Sequence, residues 1–354
     1  MMTPARAAAR RLLSSRARRG APVQAPFDRD LKLAQRSAAL ASPHAAQYDY
    51  LRDEIAERLT ERLEDLVLEL DFPTALDLGS GTGHVRRALG GRGGVQLLIE
   101  ADACPAALAA SAARERADAD ATRAAGGDPA EFAVERVCAD ETALPFAPGS
   151  LDLVVSSLAL HWVNDLPEAF AQIRRALRPD GLFLGAMLGG ETLSELRNSF
   201  VAADLERRGG VADHASPLTR VADVGDLLQS AGFALTTVDT ETLTVGYADP
   251  FVLMDHLQGM GEGHAPPAER RAAPDRASLL AAAAVYASLY GRPAATDGAE
   301  GEEGGGIPAS FEVIYMIGWA PHASQPRPLS PGAASASLKD IAAGLVQPPP
   351  GGKK

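Results

Sequence analysis

The stretch Ala75-Leu76-Asp77-Leu78-Gly79-Ser80-Gly81-Thr82-Gly83 constrains this chain more than any other. Ala75, Leu76 and Leu78 read as the end of a buried strand, and the run His84 to Leu89 reads as a helix. Three glycines at alternate positions let the backbone turn sharply between the two. Its N–H groups can then approach a ligand with no side chain in the way. Asp77 sets the loop apart from phosphate cradles, because a carboxylate there repels a pyrophosphate and attracts a cation. The plainer reading is a tight turn that serves the fold alone.

The next apolar run, Val95 to Ile99, favours a ligand. It leads into Glu100-Ala101-Asp102, where a nucleoside-binding α/β unit places the acid that holds its ribose. Asp102 can accept from both ribose hydroxyls at once. Loop, inner acid, second strand and ribose acid together predict a nucleoside cofactor with a positive centre, S-adenosylmethionine. Asp77, Gly79, Ser80, Gly81, Gly83 and Asp102 are its candidate binding residues.

Strands and helices then alternate. A helix is expected from about Pro105 to Arg116 and a polar surface loop from Asp118 to Glu131. Strand three spans Phe132 to Cys138, and strand four, Leu151 to Ser156, is the continuous apolar run of a central parallel strand. A helix from Asp165 to Ala176 and a turn at Pro179-Asp180-Gly181 precede strand five, Leu182 to Ala186. This alternation predicts an α/β fold, a doubly wound parallel sheet with helices on both faces. Farther on, helices are expected at Glu191–Arg207, Ala222–Ala231, Pro250–Gln258 and Arg276–Tyr290, with strands at Phe233–Val245 and Phe311–Trp319. Ala299 to Gly306 reads as an acidic glycine loop. Ahead of the sheet, Leu51, Ile55, Leu59, Leu63, Leu66 and Leu70 share one stripe of a helix expected over Gln47 to Leu70, lying over the domain entrance. Phe27-Asp28-Arg29 and Tyr48-Asp49-Tyr50 put aromatics beside charges, suited either to closing the pocket or to stapling that helix to the body.

Strand ends at the carboxyl edge line the ligand crevice of such a sheet. Asp140 and Glu141 stand at the end of strand three, and Asp140 is placed to accept from an adenine amino group or, alternatively, to cap a short helix. Ser156 leaves strand four at the same edge, and His161 and Trp162 follow it as the candidate catalytic residues. No Asn/Asp-Pro-Pro-Tyr follows strand four, nor a paired-glutamate loop that would clamp a guanidinium for methylation. No His-x-Asp or His-x-Glu appears, and the two cysteines, Cys104 and Cys138, have no metal-ligand spacing, so no metal site is predicted. The net charge of −12 rules against a general nucleic-acid binder. No stretch reaches the roughly 20 apolar residues of a membrane span. Residues 1–26 are rich in Arg, Ala and Ser and hold no acid, the composition of an organelle transit peptide. The domain body is expected over 27–320, and a Pro/Ala/Gly-rich tail over 321–354.

Asp77-Leu78-Gly79-Ser80-Gly81-Thr82-Gly83 is similar to motif one of class I S-adenosylmethionine-dependent methyltransferases. A more particular resemblance rests on the run Asp152 to Pro167, which contains Ser156-Ser157-Leu158-Ala159-Leu160-His161-Trp162. Gly190-Glu191-Thr192-Leu193, Leu257-Gln258-Gly259-Met260-Gly261-Glu262 and Tyr315-Met316-Ile317-Gly318-Trp319 add to it. Together they resemble the mitochondrial complex I (NADH:ubiquinone oxidoreductase) assembly factors of the arginine-hydroxylase type, over roughly Phe27 to Arg327. That resemblance implies a seven-stranded class I methyltransferase (Rossmann-like) fold. It also implies hydroxylation of an arginine on the quinone-module iron–sulfur subunit of complex I, alongside other assembly factors, at the matrix face of the mitochondrial inner membrane with peripheral contact to it. The fold also resembles the malonyl-carrier-protein methyltransferase of biotin synthesis, a methyltransferase acting on a carrier-protein thioester or small acid. A third reading is a scaffold that binds the cofactor without catalysis.

Overall fold

The computed structural model describes residues 25–66, 71–127, 132–271, 274–291 and 306–325. By its contacts the chain divides into Met1–Ala320 and Pro321–Lys354, and every element named below belongs to the first unit. Residues 1–24, the end of the expected leucine stripe at Leu70, the acidic run 299–305 and most of the tail lie outside the described residues.

Seven strands form one sheet: β1 (Thr74–Leu78), β2 (Leu97–Asp102), β3 (Ala133–Cys138), β4 (Leu151–Ser157), β5 (Leu177–Leu188), β6 (Ala234–Tyr247) and β7 (Ile307–Trp319). Their order is β3-β2-β1-β4-β5-β7-β6. The first five are parallel, as the alternation predicts, but β7 runs antiparallel to both β5 and β6. The connection from β6 holds two helices where a single crossover would hold one. It returns the chain to the end of the sheet it left, so Ile307 pairs with Tyr247.

The helices are α1 (Arg29–Leu40), α2 (Tyr50–Leu66), α3 (His84–Leu89), α4 (Pro105–Ala124), α5 (Leu166–Ala176), α6 (Ser194–Arg208), α7 (Val221–Ser230), α8 (Pro250–Gly259) and α9 (Arg276–Tyr290). β4 shows why the sheet is covered on both sides. Its side chains alternate across the plane, so Leu153 and Val155 enter one apolar cluster with Ile55, Leu59 and Leu63 of α2, while Val154 enters another with Phe170 and Ile173 of α5. The α2 stripe is buried as expected from Leu51 to Leu63.

Three local readings are corrected. α4 runs two turns past Arg116 into the expected loop, because its alanine-rich polar sequence has no breaker before Gly126 and Arg86 pairs with Asp118. β5 starts at Leu177 and carries Pro179-Asp180-Gly181 as an irregularity within it, exposed at Pro179 and Asp180, where the pairing with β4 shifts register. α1 was not expected at all. Asp28 caps it by accepting from the Leu31 N–H at 2.8 Å.

Candidate functional site

The carboxyl ends of β1 to β4 meet under α1. Asp77 is the last residue but one of β1, Asp102 ends β2, Asp140 and Glu141 follow β3, and Ser157 ends β4. A cavity here is walled by Asp77, Gly79, Ser80 and Gly81 on one side, by Asp140, Glu141, Ser157 and Ala159 on another, and by Arg29, Lys32 and Arg36 above. Gly79 has φ +74°, and a Cβ on it would lie 2.2 Å from that of Ala159, so only glycine closes the loop against this segment. Gly83 serves packing and does not wall the cavity: a Cβ there would meet Ser111 Oγ at 2.7 Å.

Asp77 is fully buried, and neither of its oxygens has a hydrogen-bond partner. Burial, with the nearby charges of Glu100 and Asp102, pushes its carboxyl well above the usual range, against the opposing pull of Arg86. The hydroxyls of Ser80 and Ser157, which line the same cavity, are likewise unpartnered. An orphaned buried acid with two free hydroxyls beside it is a poor element of a core and a good receptor for a small cationic, hydrogen-bonding ligand. The residues present therefore fit a cofactor with a positive centre.

Asp102 is also fully buried. It accepts from the Gly81 N–H at 2.9 Å, from the Cys104 N–H at 2.7 Å and from Arg36 Nη2 at 2.7 Å. Asp140 caps no helix. It accepts from the N–H and hydroxyl of Thr142 and, at 3.0 Å, from Arg29, which also pairs with the buried Glu141. Burial works against the Asp140 charge, but these donors hold its carboxyl below the ordinary value. Ser156 stands apart from the set: its hydroxyl donates to the Leu78 carbonyl at 2.7 Å and ties β4 to β1, and Ser157 faces the cavity in its place.

His161 and Trp162 lie on a one-turn helix, Leu160–Trp162, beyond β4. Both point to Glu262: Trp162 Nε1 donates to its Oε2 at 2.8 Å, and His161 Nε2 lies 3.3 Å from the same oxygen. Arg52 Nη2 donates to Oε1 at 2.8 Å. Burial would raise the Glu262 carboxyl, but His161, Arg52 and Lys32 outweigh it and hold the group far below the usual carboxylate range. Lys32 is itself buried. Its Nζ lies 3.4 Å from the centre of the Trp162 ring and donates to the carbonyls of Gly261 and Gly263. Burial lowers its ammonium to about 7, assisted by Arg36 and Arg52 and opposed by Glu262. A second cavity, mostly apolar, shares Arg52, Leu158, Trp162 and Glu262 with the first. Among the described residues no group of three or more His, Cys, Asp or Glu is arranged to hold a metal ion.

Sequence reasoning singled out Arg29, beside Phe27, as suited to closing the pocket, but missed Lys32, Arg36 and Arg52, and Glu262, which pairs with Arg52. Arg29, Lys32 and Arg36 fall at i, i+3 and i+7, one face of a helix, and that spacing was the available signal. Glu262 stands in a loop after α8, 100 residues from Trp162, and local pattern gives no sign of that partnership.

Residues 76–185 match the methyltransferase domain family. Over its length the chain is similar to the protein named "Arginine-hydroxylase NDUFAF5, mitochondrial" from Homo sapiens, 42% identical over 327 residues, covering 92% of this chain and 86% of that one. The protein of the same name from Dictyostelium discoideum is 35% identical over 89% of this chain and 70% of its own. A malonyl-[acyl-carrier protein] O-methyltransferase from Laribacter hongkongensis is more distant, 34% identical over 81% of this chain and 90% of its own.

Proposed function

The chain belongs to the mitochondrial arginine-hydroxylase NDUFAF5 family, and from that premise we propose that it binds S-adenosylmethionine and hydroxylates an arginine of the quinone-module iron–sulfur subunit of complex I. Identity over nine-tenths of the chain to the human arginine hydroxylase carries the reading. The same proposal places the protein in the mitochondrion at the matrix face of the inner membrane, in contact with that subunit and with other assembly factors. The mitochondrial naming of the relatives and the acid-free, arginine-rich first 26 residues support it.

The residues divide the work of holding the cofactor. Asp77 would take its ammonium, Asp102 its ribose hydroxyls and Asp140 its adenine amino group. Arg29, Lys32, Arg36 and Arg52 line the cavity and are the cations that would take its carboxylate. When bound, the cofactor supplies a sulfonium centre. For Asp102 to take the ribose, Arg36 would have to release it, and α1, which carries Arg36, lies over the site. The wall shared by the two cavities carries Trp162, with Lys32 over its ring, and Glu262, already paired with Arg52, so a planar cation entering there would compete with Lys32 and Arg52 for these groups.

Replacing Asp102 with Ala removes a charge-assisted pair of hydrogen bonds, ~1.5–3 kcal/mol, so affinity for S-adenosylmethionine should fall about ten- to hundred-fold. Calorimetry on the two proteins measures this, and equal affinities overturn the ribose assignment. The reaction is tested by expressing the quinone-module iron–sulfur subunit with and without this protein and weighing its arginine peptides. A gain of one oxygen atom supports the hydroxylase. A gain of one methylene returns the protein to methyl transfer, and no change with assembly still rescued returns it to the scaffold.

A further inference from the structure

Among the described residues lining the cofactor cavity, one buried acid and one buried cation make no ion pair: Asp77 and Lys32. The three arginines of the cavity are taken. Arg29 sits on Asp140 and Glu141, Arg36 on Asp102 and Arg52 on Glu262. The Lys32 ammonium has two carbonyls instead, those of Gly261 at 3.0 Å and Gly263 at 2.6 Å, and the Trp162 ring, whose centre lies 3.4 Å away. Carbonyl dipoles and a ring quadrupole fix a cation in place but do not cancel its charge. Glu262 lies close by, but Arg52 holds one of its oxygens, and Trp162 and His161 share the other.

Lys32 lines the cofactor cavity and not the second one, whereas Trp162 and Glu262 line both. Its ammonium therefore stands at the partition, on a ring that the second cavity also touches. A guanidinium brought to that ring meets a charge of its own sign in a buried place, where repulsion is weakly screened. An anion brought into the cofactor cavity meets a cation that no acid has claimed. A carboxylate, with charge-assisted hydrogen bonds, holds an ammonium more strongly than an aromatic face does. The two cavities thus place opposite demands on one side chain.

We propose that Lys32 couples the two cavities: the carboxylate of the cofactor draws its ammonium off Trp162, and the ring then accepts the target guanidinium. The inference rests on the reading of the protein as an arginine hydroxylase that binds S-adenosylmethionine. It gives binding a preferred order, cofactor before arginine, and makes a nucleoside without a carboxylate unable to prepare the arginine seat. Lys32 is in this sense a positioning residue, since it touches the ring that receives the substrate and leaves before the substrate arrives.

The test measures binding to the full chain carrying Trp319→Phe, which leaves Trp162 as its sole tryptophan. It is run at about pH 6, where the ammonium, lowered by burial to about 7, is charged. Butylguanidinium, an arginine side chain without its peptide, is titrated by Trp162 fluorescence. The titration is repeated with saturating S-adenosylhomocysteine and with saturating 5′-methylthioadenosine, which lacks the amino-acid end. S-adenosylhomocysteine should tighten butylguanidinium binding about five-fold or more, and methylthioadenosine should leave it within about two-fold. By reciprocity, butylguanidinium should tighten S-adenosylhomocysteine by the same factor. Lys32→Met without cofactor should bind butylguanidinium as tightly as the parent does with S-adenosylhomocysteine, and should gain nothing further from it. Lys32→Arg keeps the charge and should keep the weak binding of the ligand-free parent. The comparison of the two nucleosides needs no change at Lys32, so it decides the outcome if Lys32→Met does not fold. Equal effects of the two nucleosides, or coupling that survives in Lys32→Met, overturns the proposal and leaves the arginine hydroxylase reading standing. Butylguanidinium binding to neither the parent nor Lys32→Met, with or without nucleoside, overturns that reading and the coupling with it.

Discussion

Replacing Asp77 with Asn is expected to make the ligand-free protein more stable and its hold on S-adenosylmethionine weaker, two effects of one substitution with opposite sign. The wild-type carboxyl is buried among like charges with neither oxygen partnered. Such a group costs about 1–3 kcal/mol in a folded protein, and an amide of the same shape removes the charge. The pH dependence follows from the direction of the shift. The folded carboxyl titrates above the unfolded one, so its burden is nil where both are protonated, below about pH 4. The burden grows as pH rises and the unfolded chain ionises first. The gain of Asp77→Asn in melting temperature should therefore vanish in acid and grow toward neutral pH. With ligand the sign reverses. A bound ammonium would pair with the Asp77 carboxylate, and the loss of that pairing should cost ~1.5–3 kcal/mol, about ten- to hundred-fold in affinity. A destabilised Asp77→Asn protein with unchanged affinity would leave the acid a structural part of β1.

The acids at the carboxyl edge of the sheet were legible because the sheet itself puts them in register. Strand, glycine turn and helix follow from Leu76 to Leu89, and a parallel sheet brings every strand end to the same edge, so Asp77, Asp102, Asp140 and Glu141 can be placed together from sequence periodicity alone. The same reasoning misplaces Ser156 by one residue. Successive strand side chains face opposite sides, and an end cannot be fixed to one residue from hydrophobic pattern: Ser156 points to Leu78 and Ser157 to the cavity. β7 shows a second limit. Periodicity identifies a strand over Phe311–Trp319 but carries nothing about its direction, which depends on how a long two-helix connection is routed.

The cations were not legible for a different reason. Arg29, Lys32 and Arg36 find their partners 66 to 231 residues away, on β2, after β3 and in the loop following α8. Lys32 and Arg36 look locally like solvated charges on a polar helix, and Arg29 stands out only as a charge beside Phe27. Only the fold shows that their face is turned inward onto a ring of acids. That arrangement explains how a chain of net charge −12 can gather so many carboxylates in one crevice without flying apart: α1 supplies the counter-charges and leaves Asp77 without one.

Glu262→Ala is expected to be the most damaging single substitution at the site, about 3–5 kcal/mol, the loss typical of breaking a buried ion pair from one side. The carboxylate is the common partner of Arg52, Trp162 and His161 and lies beside Lys32, so its removal strands a half-buried guanidinium and a buried ammonium together. Chemical denaturation at neutral pH should show the loss. Acid should narrow it: the folded carboxyl titrates far below the unfolded value near 4.3, so the stabilisation is complete above that value and is lost as pH falls through the folded one. Glu262→Gln keeps acceptor oxygen for Trp162 and should lose less. The double change Glu262→Ala with Arg52→Met separates lost charge pairing from lost shape, since removing both members of a buried pair often costs little. If the charge on Arg52 is what Glu262 neutralises, the double variant should be more stable than Glu262→Ala alone. A double variant as unstable as the sum of its parts would instead make Glu262 a packing residue whose charge is incidental.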